Sequence, residues 1–92
     1  MPTKTLYFPN PRHLNQLYAG RDENLAYAER ALHVKLTSRE DWLKVDGETP
    51  AVAAIEALFG YLNDARSQGV VIRTPDYHRF VDMIARGESD QL

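Results

Sequence analysis

The chain has 92 residues, of which 43% are hydrophobic and 26% are charged. This length and composition predict one soluble globular domain and exclude an intrinsically disordered chain. Eleven lysines and arginines against thirteen aspartates and glutamates give a formal net charge of −2. A broadly basic nucleic-acid binder is therefore excluded, and any phosphate-binding surface must be a local patch.

The chain contains no cysteine, which excludes disulfides, thiolate nucleophiles and cysteine-based zinc sites. No apolar run approaches the ~20 residues of a membrane span, and residues 1–10 carry no signal-peptide pattern. The sequence therefore predicts a cytoplasmic protein with no membrane partner.

The N-terminal part predicts a strand followed by a short helix. Residues 5–8 (TLYF) are β-prone, and the Pro-Asn-Pro that follows ends the strand. Asn10 is suited to cap a helix, and Pro11 suits its first turn, where a missing N–H costs nothing. Gly20 then favours a left-handed stop.

A second helix is predicted directly after this stop. Asp22 is suited to cap it, and Glu23 stands at the positive end of its dipole. The spacing predicts a buried stripe on one side of this helix, with Glu29 facing water. The stripe residues are Leu25, Ala28 and Leu32.

From Val34 the hydrophobic period changes from 3.6 to 2, which predicts a β-hairpin with its turn at residues 38–41. In the returning strand, alternation puts Trp42 on the face opposite Leu43 and Val45. Two roles for Trp42 remain open at this point. It could stack on a nucleic-acid base, or it could pack under the last helix, which is the interpretation we favour.

Two further helices complete the chain. Thr49 followed by Pro50 predicts the start of a long helix, and Thr74 followed by Pro75 predicts the start of a last one after a brief extended segment. The element order is β-α-α-β-β-α-(extended)-α, which predicts an α+β two-layer domain: an antiparallel sheet with helices on one face. This layout is typical of a KH-like module.

The residue patterns indicate no catalytic chemistry. His13, His33 and His78 lie on three different predicted elements without metal-ligand spacing, so we expect no metal site. No Ser-His-Asp or Cys-His arrangement can be argued, and no phosphate loop of the type G-x-x-x-x-G-K-[ST] occurs. The chain by itself is predicted not to be an enzyme and to hold no cofactor.

The loop at residues 20–24 is a candidate nucleic-acid-binding site. KH domains use a G-x-x-G loop to bring the nucleic-acid backbone close to two helices. Gly20 can act as the first glycine, but Glu23 stands where the second would fall, and its carboxylate would repel phosphate. Arg21 offsets this in part. An ordinary tight turn between two helices is the alternative.

The chain resembles the N-terminal domain of the PhoH-like protein family. The resemblance rests on the loop G-R-D-E-N-L, the passage E-R-A-L-H-V-K-L, the turn D-G-E and the segment G-V-V-I-R-T-P-D-Y. It covers nearly the whole chain, and it implies a bacterial, cytosolic protein connected by name with phosphate starvation. Residues 1–87 would be one KH-like domain, and residues 88–92 a polar tail or the start of a linker.

In this family the larger C-terminal domain is a P-loop ATPase proposed to act on RNA. The chain stops where that domain would begin, so it resembles an excised N-terminal fragment or an isolated relative. ATP and magnesium are expected only in the absent domain.

The resemblance implies two functions from different classes. In the first, the domain binds single-stranded RNA through the loop and the adjacent strands. The residues expected there are Arg12, Gly20, Arg21, Asn24, Lys35, Thr37, Arg39 and Lys44. In the second, the domain binds a protein partner or itself through the sheet face or the long helix. Net charge and Glu23 favour the second function, whereas the fold and the family favour the first.

Overall fold

A computed structural model of the protein describes residues 3–87. Along these residues the elements are β1 (Thr3–Tyr7), α1 (Pro11–Leu17), α2 (Asp22–Leu32), β2 (Lys35–Arg39), β3 (Trp42–Asp46), α3 (Thr49–Ser67) and α4 (Thr74–Ala85). The predicted α+β class and the predicted order of elements are confirmed. The tail predicted at residues 88–92 lies outside the described residues.

The strands form an antiparallel sheet in the order β1-β3-β2. The central strand β3 alternates strictly, because Leu43 and Val45 are fully buried while Lys44 between them is exposed. One face of the sheet therefore belongs to the core, and the other face points away from it.

All four helices contribute to one core on the inner face of the sheet. Its largest fully buried side chains are Tyr77, Phe59, Leu14, Leu17, Leu43, Ile55, Leu58 and Leu62. α4 packs against α2 and α3, and α1 packs against α3 and β3. The domain is thus a layer of helices on a layer of sheet, as the pattern predicted.

The starts of α1, α3 and α4 have proline in the first turn, as predicted, but only α1 has the predicted capping residue. The Asn10 side chain accepts a hydrogen bond from the His13 N–H at 2.8 Å, with Pro11 in the first turn. The predicted caps Asp22 and Thr49 are instead the first helical residues of α2 and α3. Asp22 therefore acts through the positive end of the helix dipole rather than through a capping hydrogen bond.

The connection between α1 and α2 is a left-handed turn. Gly20 has φ of 70°, as predicted, but the preceding Ala19 is also left-handed, with φ of 60°. This conformation costs an alanine about 1 kcal/mol, so the turn is held by the structure around it. One holding contact is the Gly20 N–H, which donates to the Asn15 carbonyl at 2.8 Å.

The helical pattern predicts that Glu29 faces water, but the structure gives its side chain a hydrogen-bond partner in the sheet. Its carboxylate accepts a hydrogen bond from the Leu36 N–H at 2.8 Å. Since Leu36 belongs to the edge strand β2, this contact ties α2 to the rim of the sheet.

Candidate nucleic-acid interface

The structure divides the eight predicted site residues into two separate groups. Lys35, Thr37, Arg39 and Lys44 lie on the outer face of the sheet. Arg12, Gly20, Arg21 and Asn24 lie in the helical layer, which covers the inner face. The predicted single surface, built from the loop and the adjacent strands together, does not form.

Asn24 is a structural residue rather than a ligand-binding one. Its side chain is only 1% exposed. The amide nitrogen donates to the Tyr18 carbonyl at 2.8 Å and lies 3.4 Å from the Thr74 hydroxyl. The amide oxygen lies 3.2 Å from His78 Nε2, which therefore carries the proton of this contact. The prediction that Asn24 faces a nucleic acid is wrong, because its polar atoms are bonded inside the protein.

The other loop residues remain accessible but do not make a G-x-x-G-like surface. Arg21 and Glu23 are both exposed at the start of α2, so the loop presents one positive and one negative side chain. Arg12 and Gly20 instead line a cleft on the far side of α1, and no strand residue lines that cleft. The loop itself therefore offers phosphate little net attraction.

The outer sheet face is organised in three rows, because residues directly opposite each other on antiparallel strands share a face. Tyr7, Trp42 and Arg39 form the first row, at the end nearest the β2–β3 turn. Thr5, Lys44 and Thr37 form the middle row, and Thr3, Asp46 and Lys35 form the third.

The first row makes two aromatic residues and an arginine cross-strand neighbours. Phe8 N–H donates to the Asp41 carbonyl at 2.8 Å. The neighbouring pair Tyr7–Trp42 is therefore the type without bridging backbone hydrogen bonds, in which side chains approach most closely. Tyr7 is 74% exposed, whereas Trp42 is half-buried between its two neighbours. The row therefore combines two partly exposed aromatic residues with a cation.

Trp42 does not pack under the last helix, which was the favoured prediction. Trp42 lies on the outer face of β3, whereas the helices cover the opposite face, to which Leu43 and Val45 belong. Tyr7 was not among the predicted site residues. The signal that could have found it is the same alternation, since Tyr7 stands between Leu6 and Phe8, which both pack against the core.

The charge of the outer face is positive even though the chain is acidic. Lys35, Arg39 and Lys44 are exposed on it, and Asp46 is its one carboxylate among the described strand residues. Asp46 Oδ1 accepts a hydrogen bond from the Thr3 hydroxyl at 2.7 Å. Glu40 lies in the adjacent turn, so the positive region is confined to the sheet itself.

The histidines lie apart, as the sequence indicated. His13 Nε2 lies 2.6 Å from Asn63 Oδ1, His78 contacts Asn24, and His33 is exposed at the end of α2. Within residues 3–87, no group of three histidine, aspartate or glutamate side chains could hold a metal ion. In the same part of the chain, no helix combines the length and apolarity needed to cross a bilayer.

The shifted pKa values belong to the helical layer. The hydrogen bond to Asp82 raises the pKa of Tyr27, and burial raises the pKa of Tyr77. Both tyrosines lie away from the outer sheet face. Neither shift provides an acid or a base at the candidate interface.

The chain was compared with known protein families, curated proteins and solved structures. No match was found in any of the three comparisons. Family membership and function therefore remain predictions.

Proposed function

We propose that this domain is a non-catalytic module that binds single-stranded nucleic acid on the outer face of its sheet. The observation that carries the proposal is the row Tyr7–Trp42–Arg39, with Lys44 and Lys35 on the same face. In the setting implied by the PhoH-like resemblance, it would deliver single-stranded RNA to an ATPase domain. ATP and magnesium would belong to that other domain.

The aromatic row supports stacking of unpaired bases. Every base has an apolar ring face, so stacking on Tyr or Trp is tolerant of sequence and contributes ~1–3 kcal/mol per base. Double-stranded nucleic acid keeps these ring faces inside its own stack. The proposal is therefore specific for single strands.

The three cations support contacts with the phosphates next to the stacked bases. Because the chain as a whole is acidic, long-range attraction is weak and affinity depends on these local contacts. For three phosphate contacts on a single strand, log K should fall with log salt with a slope of about −2. We therefore expect modest affinity with a clear dependence on salt.

The test is a fluorescence titration of the protein with a short single-stranded oligouridylate at several salt concentrations. Trp42 is the one tryptophan of the chain and lies on the proposed surface, so quenching reports on the site directly. Lys44→Glu reverses the charge in the middle row and is expected to weaken binding at least about tenfold. Tyr7→Ala removes a largely exposed ring and should weaken it by about 1 kcal/mol or more.

Two charge-reversed variants serve as matched controls. Arg79→Glu changes an exposed arginine on α4 and should leave binding within about twofold of the unchanged protein, apart from a weak general charge effect. Arg21→Glu changes the loop and should behave in the same way. Loss of binding in Arg21→Glu with retention in Lys44→Glu would locate the site at the loop and contradict the proposal.

A protein-interaction or self-association role is the second candidate, and the position of β1 favours it. β1 is an edge strand, paired only with β3 among the described strands. Such an edge can accept a further strand from another chain. Sedimentation that shows concentration-dependent dimers, together with no oligouridylate binding at low salt, would favour this role over the first.

A further inference from the structure

A cleft of about 400 Å³ lies beside α1. Its walls are the exposed side of α1, the left-handed turn at Ala19 and Gly20, the end of α3, and the segment of residues 70–72, here called the valine segment. The cleft shares no lining residue with the outer sheet face. Its size lies within the range of small-molecule binding sites.

Two arginines line this cleft, and no carboxylate does so among its described lining residues. Arg66 Nε donates to the Gln16 side chain at 2.7 Å, which fixes the guanidinium at the cleft wall. Arg12 is exposed and makes no hydrogen bond or ion pair with residues 3–87. In a chain with a net charge of −2, this is a local concentration of positive charge that nothing lining the cleft neutralises.

Another part of the cleft lining is apolar and exposed. Val70 is 48% and Val71 72% exposed, and both side chains line the cleft. Ile72 is 7% exposed and anchors the valine segment to the core. Neighbouring exposed valines beside a concave site are an apolar surface that a ligand would remove from water.

We propose that the cleft binds a small amphipathic anion, in which a carboxylate or a phosphate monoester is attached to an apolar body. Guanidinium groups bind such oxyanions through paired, charge-assisted hydrogen bonds, and the valine segment contacts the apolar body. Both parts are required. An inorganic anion leaves the valines exposed, and an apolar cation is repelled by the arginines. The site is independent of nucleic-acid binding on the sheet.

The test follows backbone amide signals of Gly20 and Val71 by NMR during titration with four probes. Hexanoate and hexyl phosphate each carry the anion and the apolar chain, inorganic phosphate carries only the anion, and hexylamine, which is protonated at neutral pH, carries the apolar chain with a positive charge. Saturable shifts at millimolar concentrations are expected with hexyl phosphate, with hexanoate, or with both; which of them binds identifies the oxyanion. Inorganic phosphate should bind at least about tenfold more weakly, and hexylamine should give no saturable shift.

Variants test whether binding depends on the positive charge of the cleft or only on its shape. Arg12→Gln should weaken binding of hexyl phosphate or hexanoate at least about tenfold, whereas Arg79→Gln on α4 should leave it unchanged. Val71→Asp places a carboxylate in the cleft and should abolish binding. Val71→Asn introduces a side chain of the same shape as aspartate without its charge, and it should retain much more of the binding. Because Val71 is largely exposed, both variants are expected to fold.

The proposal would be overturned by no saturable shift with either amphipathic anion, by equal binding of inorganic phosphate, or by equal loss in Val71→Asp and Val71→Asn. Binding of hexylamine with the same affinity would overturn it as well, because it would reduce the site to apolar contact. Each of these outcomes leaves the sheet-face titration unaffected.

Discussion

Two tyrosine hydroxyls of the domain, those of Tyr77 and Tyr27, differ in whether they have a hydrogen-bond partner. The Tyr77 side chain is fully buried, and its hydroxyl has no hydrogen-bond partner within residues 3–87. The Tyr27 hydroxyl donates to Asp82 at 2.6 Å, and its ring stacks on His78 at 3.9 Å. Removing the oxygen should therefore have opposite effects at the two positions.

Tyr77→Phe is expected to raise the free energy of unfolding by about 1 kcal/mol, since a buried hydroxyl without a partner loses its hydration on folding. Tyr27→Phe is the matched change and is expected to lower it by about 1 kcal/mol through loss of the hydrogen bond. Urea denaturation at neutral pH measures both. A clear destabilisation by Tyr77→Phe would contradict this and indicate a hydrogen bond to its hydroxyl.

Alkaline pH gives an independent control on Tyr77. Burial raises its pKa above the ordinary value of 10.0, so in the folded state the phenol stays neutral where the unfolded chain already ionises. Ionisation then favours the unfolded state, and stability present below pH 10 is lost as the pH rises further. Tyr77→Phe lacks this contribution and should lose less stability above about pH 10 than the unchanged protein does.

At the scale of the element, α3 contains a glycine that packing does not require. A Cβ atom built on Gly60 would meet nothing within 4 Å, and the residue is exposed in the helix interior. Gly60→Ala is expected to raise the free energy of unfolding by about 0.5–1 kcal/mol, because alanine restricts the unfolded chain and favours helix. Thermal or urea denaturation measures this change.

Gly69→Ala is the matched control just beyond the same helix. Gly69 is also open to solvent, but its φ of 88° is one that alanine adopts only with strain. It should lower the stability by about 1–2 kcal/mol. A stabilising Gly69→Ala, or a destabilising Gly60→Ala, would show that backbone conformation does not decide these two positions.

Local patterns predicted the type and order of the elements, but they were less reliable for the ends of the elements. Asn10 caps α1 as predicted because its short amide reaches the His13 N–H. For α2 and α3, the cap position falls one residue earlier, at Arg21 and Glu48, whose side chains make no capping hydrogen bond. The tertiary packing of an apolar face, rather than the cap, fixes where those helices begin.

At the scale of the whole molecule, Asn24 joins parts of the chain that are distant in sequence. Its amide links the end of α1, at Tyr18, to the start of α4, at Thr74 and His78. Asn24→Ala is expected to lower the free energy of unfolding by about 1–3 kcal/mol, because buried polar partners lose their bonds. Urea denaturation measures this, and Asn15→Ala on the exposed side of α1 should change stability by less than about 0.5 kcal/mol.

An effect of Asn24→Ala as small as that of Asn15→Ala would show that water replaces the lost contacts. Amide hydrogen exchange then gives a further check. The expected result is faster exchange in α4 as well as in α2, because the bridge spans both helices.

The candidate site was predictable only where it depends on a local pattern. Period-two alternation was enough to place Lys35, Thr37 and Lys44 on one face. The position of Tyr7 beside Trp42 depends on the sheet order β1-β3-β2, and no local pattern contains that order. The loop residues were assigned to the same surface by resemblance alone, and the packing of helices on the inner face separates them from it.

The sheet order also has a consequence for the order of assembly during synthesis. β1 is synthesised before its partner β3, which follows only after two helices and a strand have been made. The local β2–β3 hairpin can form early, whereas pairing of β1 closes a much longer loop. Tyr7 therefore reaches Trp42 only when the domain is nearly complete. A nascent chain presents the cations without the aromatic row, so under the proposed function the stacking of bases requires the finished fold.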